Sequence, residues 1–294
     1  IDESGVYDSL IFQKFEKEEG IQVQVVKLGR SQILNQLQRE KYNSDADLIV
    51  INDYKSLYQS SRRGLFRQVE SDKIMRQVDP VYQSSKKYWC ALSKTPIVIV
   101  YNSELTKRGD LKNYSDLLLP SWKGQIALQS DNNETWKSYS SAISLAFGNR
   151  SDSILEKLKE QAILPKIGDD ELQLKRVLRG EAKFALVKLA SLARLHSKSR
   201  SNSDVGNYLK LKPIFPDQRK KGCYMAISGA GVNRYTRNPI NAIKLLEFLS
   251  GPKAQYKYAS GRWHYPIYSK IKARKVLSQY RKFRGRFYKE KSKN

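Results

Sequence analysis

The side chains that could hold a soft metal or serve as a nucleophile are few. The 294-residue chain has two cysteines, Cys90 and Cys223, and two histidines, His196 and His264. There is no CxxC pair, which excludes a cysteine zinc site and a disulfide-dense scaffold. Two histidines alone exclude a histidine-rich metal site. No GxSxG, P-loop, HExxH or GxGxxG motif is present. With no nucleophile–base pair and no metal constellation, the sequence points to binding and not to an enzyme. The run Ser228-Gly229-Ala230-Gly231 is too short for a phosphate fingerprint and reads as a tight turn at a strand end.

Charge is the other chemical resource. The chain carries 54 Lys+Arg against 29 Asp+Glu, a formal net charge of +25. Residues 1–55 hold 7 basic and 10 acidic side chains, whereas residues 270–294 hold 11 basic and one acidic. Within that last stretch Tyr280, Phe283, Phe287 and Tyr288 are interleaved with the cations. Two readings stand: a solvated cationic tail, or a grip on an acidic protein, an anionic membrane or a nucleic acid. The basic residues form no recognised nucleic-acid motif. In a helix Phe283 and Phe287 would share one face and could pack on the first lobe.

These residues must be positioned by an alternation of helices and strands. Leu10, Ile11 and Phe15 stripe a helix over 5–19, stopped by Gly20. Alternating Ile21, Val23 and Val25 predict a strand over 21–28. A helix over 31–41 follows, with Ser31 as N-cap, and the apolar run Leu48–Ile51 reads as a buried parallel strand. Further on come a strand at 97–101, a short helix near 113–119 and a strand at 125–129. Helices are expected over 138–147, 151–162 and 170–179, and a strand over 183–188. Asn238, Pro239 and Gly251 bracket a helix over 238–250. The order predicts an α/β protein with a parallel sheet, and the length allows two domains. No apolar run reaches the ~18 residues of a membrane span. The chain begins at Ile1 without a leader, which reads as a processed or trimmed form with any export signal out of sight.

Three stretches carry a resemblance. "VIVYNSELTKRGDLKNYSDLLLPSWKGQIAL" (98–128) is similar to the ferric-iron-binding periplasmic proteins in its Tyr-Asn strand end and Trp-Lys-Gly loop. "ISGAGVNRYTRNPINAIKLLEFLSGPKAQ" (227–255) resembles their Ser-Gly-Ala-Gly strand and following helix. "DADLIVINDYKSLYQSSRRGLF" (45–66) resembles an early strand and helix. The resemblance runs from Tyr7 to about Pro266 and implies the class II periplasmic-binding fold. In that fold two α/β lobes are joined by two crossover strands, with ligand in the cleft between them. It places lobe one at 1–93 plus 227–270, lobe two at 94–226, and a basic C-terminal tail at 271–294.

What the resemblance implies about the ligand is mixed. Ferric binders hold a hard trivalent cation mainly with phenolates. Val6-Tyr7 stands where a His-Tyr pair is expected, so Tyr7 alone remains as a candidate metal ligand. The second-lobe Tyr-Tyr pair falls on Ala190-Ser191, and the preceding Asn falls on Lys188. A single second-lobe Tyr falls near Thr135, and Tyr139 could compensate for it. A lysine there opposes a bare cation, since like charges at ~4 Å in an effective dielectric of ~20 repel by about 4 kcal/mol. The implied ligand-binding set is Tyr7, Ser130, Thr135, Lys137, Ser138, Tyr139, Lys188 and Ser191, and it suits a small anionic solute or a ferric chelate better than bare Fe3+.

The expected function is therefore that of an exported, monomeric solute-binding protein feeding an ABC permease from the periplasm or an equivalent space. The rival reading keeps the fold but makes it a basic docking or structural subunit for an acidic partner. The resemblance also implies neighbouring crossovers just after Cys90 and Cys223, so the two sulfurs could bridge or remain separate buried thiols.

Overall fold

The computed structural model describes residues 5–287 except 29, 107–110, 132, 164–165, 167, 202–206, 262, 274 and 281. The chain divides into two compact units, Ile1–Lys94 with Ile227–Arg274, and Thr95–Ala226 with Lys275–Asn294. Two strands, β2 (Cys90–Asn102) and β6 (Cys223–Val232), carry the chain from one unit to the other.

In the first unit, β1 (Leu48–Ile51) pairs with the end of β6, from Leu48↔Val232 to Ile51↔Gly229. A short β7 (Tyr265–Pro266) pairs with β2 at Ser93 and Lys94. Around them lie α1 (Gly5–Glu19), α2 (Arg30–Glu40), α3 (Tyr54–Arg62), α4 (Asp72–Gln77), α9 (Pro239–Ser250) and α10 (Pro252–Gly261). The helical stripe of α1 buries Ile11 and Phe15, and Phe15 meets Phe248 of α9 edge-on at 5.3 Å. One buried amide ties three elements together. Gln255 Nε2 donates to the carbonyls of Leu92 (2.7 Å) and Leu249 (3.0 Å), while its Oε1 accepts from Ile267 N at 2.7 Å. Such a fully satisfied polar group costs little to bury and fixes register.

In the second unit, the Ile97–Val100 stretch of β2 is fully buried. Each such side chain contributes on the order of 1.5–3 kcal/mol. It lies between β4 (Phe184–Lys188) and β5 (Leu211–Ile214), both antiparallel to it, and β3 (Ile126–Ala127) runs parallel to β4. Helices α5 (Glu134–Phe147), α6 (Ser151–Glu160), α7 (Asp170–Leu178), α8 (Leu189–Ser201) and α11 (Lys275–Ser278) complete the unit, with β8 (Gly285–Arg286) parallel to the start of β6.

Several expectations need correction. No strand forms over 21–28; the Val23 N–H is taken by Glu16 Oε1 at 2.7 Å, and Val25, Val26 and Leu28 are exposed with no ladder partner. Helix α2 starts at Arg30, so Ser31 lies inside it and is not its cap. The sheet is mainly antiparallel, and β1 buries only alternate residues, Ile49 and Ile51, so an unbroken apolar run did not mean burial on both faces. The Ser228–Gly231 run is mid-strand, not a turn. A Cβ at Gly229 would sit 2.8 Å from the Cys90 carbonyl oxygen, and one at Gly231 would sit 2.6 Å from the Phe66 ring. Here glycine permits close packing of the strand. Finally, the stretch after 271 is not a free tail as far as Phe287. Phe283 stacks on Phe215 at 4.6 Å, Tyr280 Oη meets His196 Nδ1 at 2.9 Å, and β8 joins the second unit instead of packing on the first.

Candidate functional site

The expected site residues of the second unit separate into those that converge and those that do not. The point of convergence is Asp170, at the start of α7 and 5% exposed. Its neighbour Asp169 caps that helix through Leu172 N at 3.0 Å, which leaves Asp170 free to point elsewhere. The Asp170 carboxylate accepts from Gln129 Nε2 (2.6 Å), Lys188 N (3.0 Å) and Ser191 Oγ (2.8 Å), and Thr135 contributes a further side-chain hydrogen bond. Burial raises its pKa, while the Lys188 charge and these hydrogen bonds pull it back down.

The local sequence explains this geometry. Strand β4 ends at Lys188 and α8 begins at Leu189, so the first turn of α8 presents its N–H groups. The Ala190 N–H finds Thr95 Oγ1 at 3.3 Å, and Asp170 takes the Lys188 N–H. A carboxylate at a helix N-terminus is favoured by the helix dipole. Gln129 spans the gap from the β3 side, donating also to Leu186 O at 2.6 Å, while its Oε1 is buried without a partner among the described residues.

Thus Thr135, Lys188 and Ser191 are brought together, and the sequence reading missed the two residues that organise them, Asp170 and Gln129. Lys188 is half-buried, and its charge acts on Asp170, lowering the pKa of that carboxyl against the effect of burial. Ser138 is buried on α5, whereas Ser130 and Lys137 are half-buried, with the Lys137 carbonyl bonded by Ser140 Oγ and Ser141 Oγ. Tyr139 does not compensate for a lost phenolate. Its ring is 2% exposed and packs against Tyr114 (5.6 Å) and Tyr224 (5.8 Å), and burial pushes its pKa well up, so it stays a neutral core phenol. Tyr7 belongs to the first unit, in the first turn of α1, and its side chain lies outside the described ones.

Other donors are committed. His264 Nδ1 meets Ser93 Oγ at 2.8 Å, and His196 sits between Leu211 O and Tyr280 Oη. Cys90 and Cys223 are both buried free thiols, each with its pKa pushed up to about 12 by burial. Among the described residues no group of three or more His, Cys, Asp or Glu is placed to hold a metal ion.

Two α/β units joined by two strands, with polar groups gathered where a strand gives way to a helix, define a class II periplasmic-binding fold. The chain belongs to the bacterial extracellular solute-binding protein family, whose model matches residues 11–284. Members of this family bind solutes and are not enzymes. It is 28% identical over 281 residues to iron uptake protein A1 of Synechocystis sp., covering 95% of this chain and 77% of that protein. The ferric binding protein of Campylobacter jejuni superposes with a TM-score of 0.89 at 26% identity, over 95% of this chain and 89% of that one. The Trichodesmium IdiA (FutA) protein, solved in complex with iron and citrate ligands, gives 0.85 at 26% identity with the same coverage.

Proposed function

We propose that this protein is the extracytoplasmic receptor of an ABC importer and that its cargo is ferric iron held in a carboxylate chelate. The observation that carries the chelate is the donor set at the end of β4 and the start of α8. The half-buried Lys188 ammonium stands there beside an Ala190 N–H and a Ser191 hydroxyl that Thr95 and Asp170 hold in place, and among the described residues no group of three or more His, Cys, Asp or Glu is placed to hold a metal ion. Ammonium and hydroxyl groups recognise carboxylates by charge-assisted hydrogen bonds, whereas a bare trivalent ion needs several anionic oxygens. The iron half of the reading is supported by the relatives, which include an iron uptake protein and a structure holding iron and citrate. Asp170 fits this role as a positioning group that fixes the Lys188 backbone and the Ser191 hydroxyl. The work of the protein is binding followed by delivery to a permease, without bond chemistry.

A thermal-shift series with ferric citrate, ferric nitrilotriacetate, ferric chloride, citrate alone and phosphate tests the reading. Ferric citrate at a hundred times its dissociation constant should stabilise the protein by ~2.7 kcal/mol, and Lys188→Ala should remove most of that gain. A red phenolate–iron band at one iron per chain, lost in Tyr7→Phe, would instead mean a bare-iron site. No response to any iron species would remove iron from the proposal.

A further inference from the structure

Two segments distant in sequence form one cationic knob on the second unit. The turn 217–222 and the strap 282–286 are pinned to each other by a two-way bond. Gln218 Nε2 donates to Arg284 O (2.9 Å), and Arg284 N donates to Gln218 Oε1 (2.6 Å). Arg284 Nη1 reaches Lys220 O at 3.1 Å, and Asp217 N donates to Lys112 O at 2.9 Å. Lys112, Arg219, Lys220, Lys221, Lys282 and Arg284 are all exposed. None of the six forms an ion pair among the described residues. The acid at the base of the turn, Asp217, is already consumed by Arg286 at 2.8 Å, with both side chains nearly buried.

We propose that this knob docks the protein on an anionic phospholipid surface. Two features select a lipid surface over a nucleic acid or a protein partner. The one aromatic residue of the strap, Phe283, is stacked on Phe215 and offers no row of rings on which successive bases could stack. The large apolar side chains exposed among the described residues fall outside both segments, so the patch lacks the apolar centre of a protein interface. What remains is a set of cations on a turn and a strap, held by backbone bonds, and that suffices for headgroup attraction without insertion. Docking of this kind is weak and reversible, and it would concentrate a solute receptor at the bilayer without adding a contact to its cargo.

The test is vesicle co-sedimentation of the full chain, with neutral phosphatidylcholine vesicles and with vesicles of roughly one third phosphatidylglycerol. The wild type should pellet with the anionic vesicles only, and high salt should release it. The triple variant Arg219→Glu, Lys221→Glu, Lys282→Glu avoids the bonded Arg284 and should bind at least about tenfold more weakly. A control with the same charge change elsewhere, Arg63→Glu, Lys123→Glu, Lys157→Glu, should lose much less. Equal losses in the two variants would mean that net charge alone drives binding and would overturn the docking site. So would equal pelleting with neutral vesicles, or tighter binding to an oligonucleotide that displaces the vesicles. Melting curves of both variants verify that they remain folded.

Discussion

At the scale of single residues, a buried carboxylate surrounded by donors is costly to unmake. Asp170→Ala would leave the Gln129 amide, the Lys188 N–H and the Ser191 hydroxyl without their acceptor. A loss of about 3 kcal/mol in urea unfolding is expected, and about 1 kcal/mol for Asp170→Asn, which keeps the shape and one acceptor. The pH dependence has a definite sign. Burial raises the folded-state pKa of Asp170 above its ordinary 3.8, so the folded state binds the proton more readily than the unfolded one. The wild type should therefore gain stability relative to Asp170→Asn as pH falls through that raised pKa. A difference that does not change with pH would show an ordinary carboxyl. Asp170 was hard to find in the sequence for a physical reason: Asp169-Asp170-Glu171 reads as acid favoured by a helix N-terminus, and only the fold separates the capping member from the buried one. Tyr139 misled for the converse reason, since a tyrosine on a helix reads alike whether it faces solvent or an aromatic core.

At the scale of elements, strand β6 and the residue just before it show how glycine is used. Gly222 has φ +89°, and a Cβ there would sit 2.2 Å from the Arg284 carbonyl oxygen. Gly222→Ala must therefore push the strap away from the start of β6. Cys223 lies beneath that strap, with its Sγ 3.6 Å from the same carbonyl. In the wild type both thiols should react slowly with a maleimide, since both are buried and hard to ionise. In Gly222→Ala the Cys223 thiol should react much faster while Cys90 does not; unchanged labelling of both would show that the strap holds. In Gly229→Ala the added methyl would meet a backbone carbonyl, and a cost of about 3 kcal/mol is expected in unfolding. Helix-by-helix the sequence was informative, because long apolar stripes such as that of α1 and signalled ends such as Pro239 and Gly251 are local properties. Strand identity was less so. Residues 21–28 alternate as a strand does, yet a strand exists only with a ladder partner, and none is there.

At the scale of the whole molecule, a net charge of +25 is a standing self-repulsion. Raising ionic strength from ~0.01 to ~0.15 M shortens the screening length from ~30 to ~8 Å. The melting temperature should rise over that range, most clearly with salts that do not bind the protein. A falling melting temperature would mean that the ion pairs present, such as Lys253–Glu18 and Lys210–Glu104, outweigh the repulsion. The cationic bias of the last residues was plain in the sequence. That their aromatic members pack inward was not, because it depends on Phe215 and His196, which lie far away along the chain.

The interleaving of the two units also fixes an order of manufacture. The first unit needs residues 227–274, and the second needs the strap that follows them. The first unit cannot close before residue 274 has emerged from the ribosome, nor the second before the strap has. Nascent chains stalled before residue 275 should thus be digested readily by protease across 95–226, and resistance should arrive once the strap has emerged.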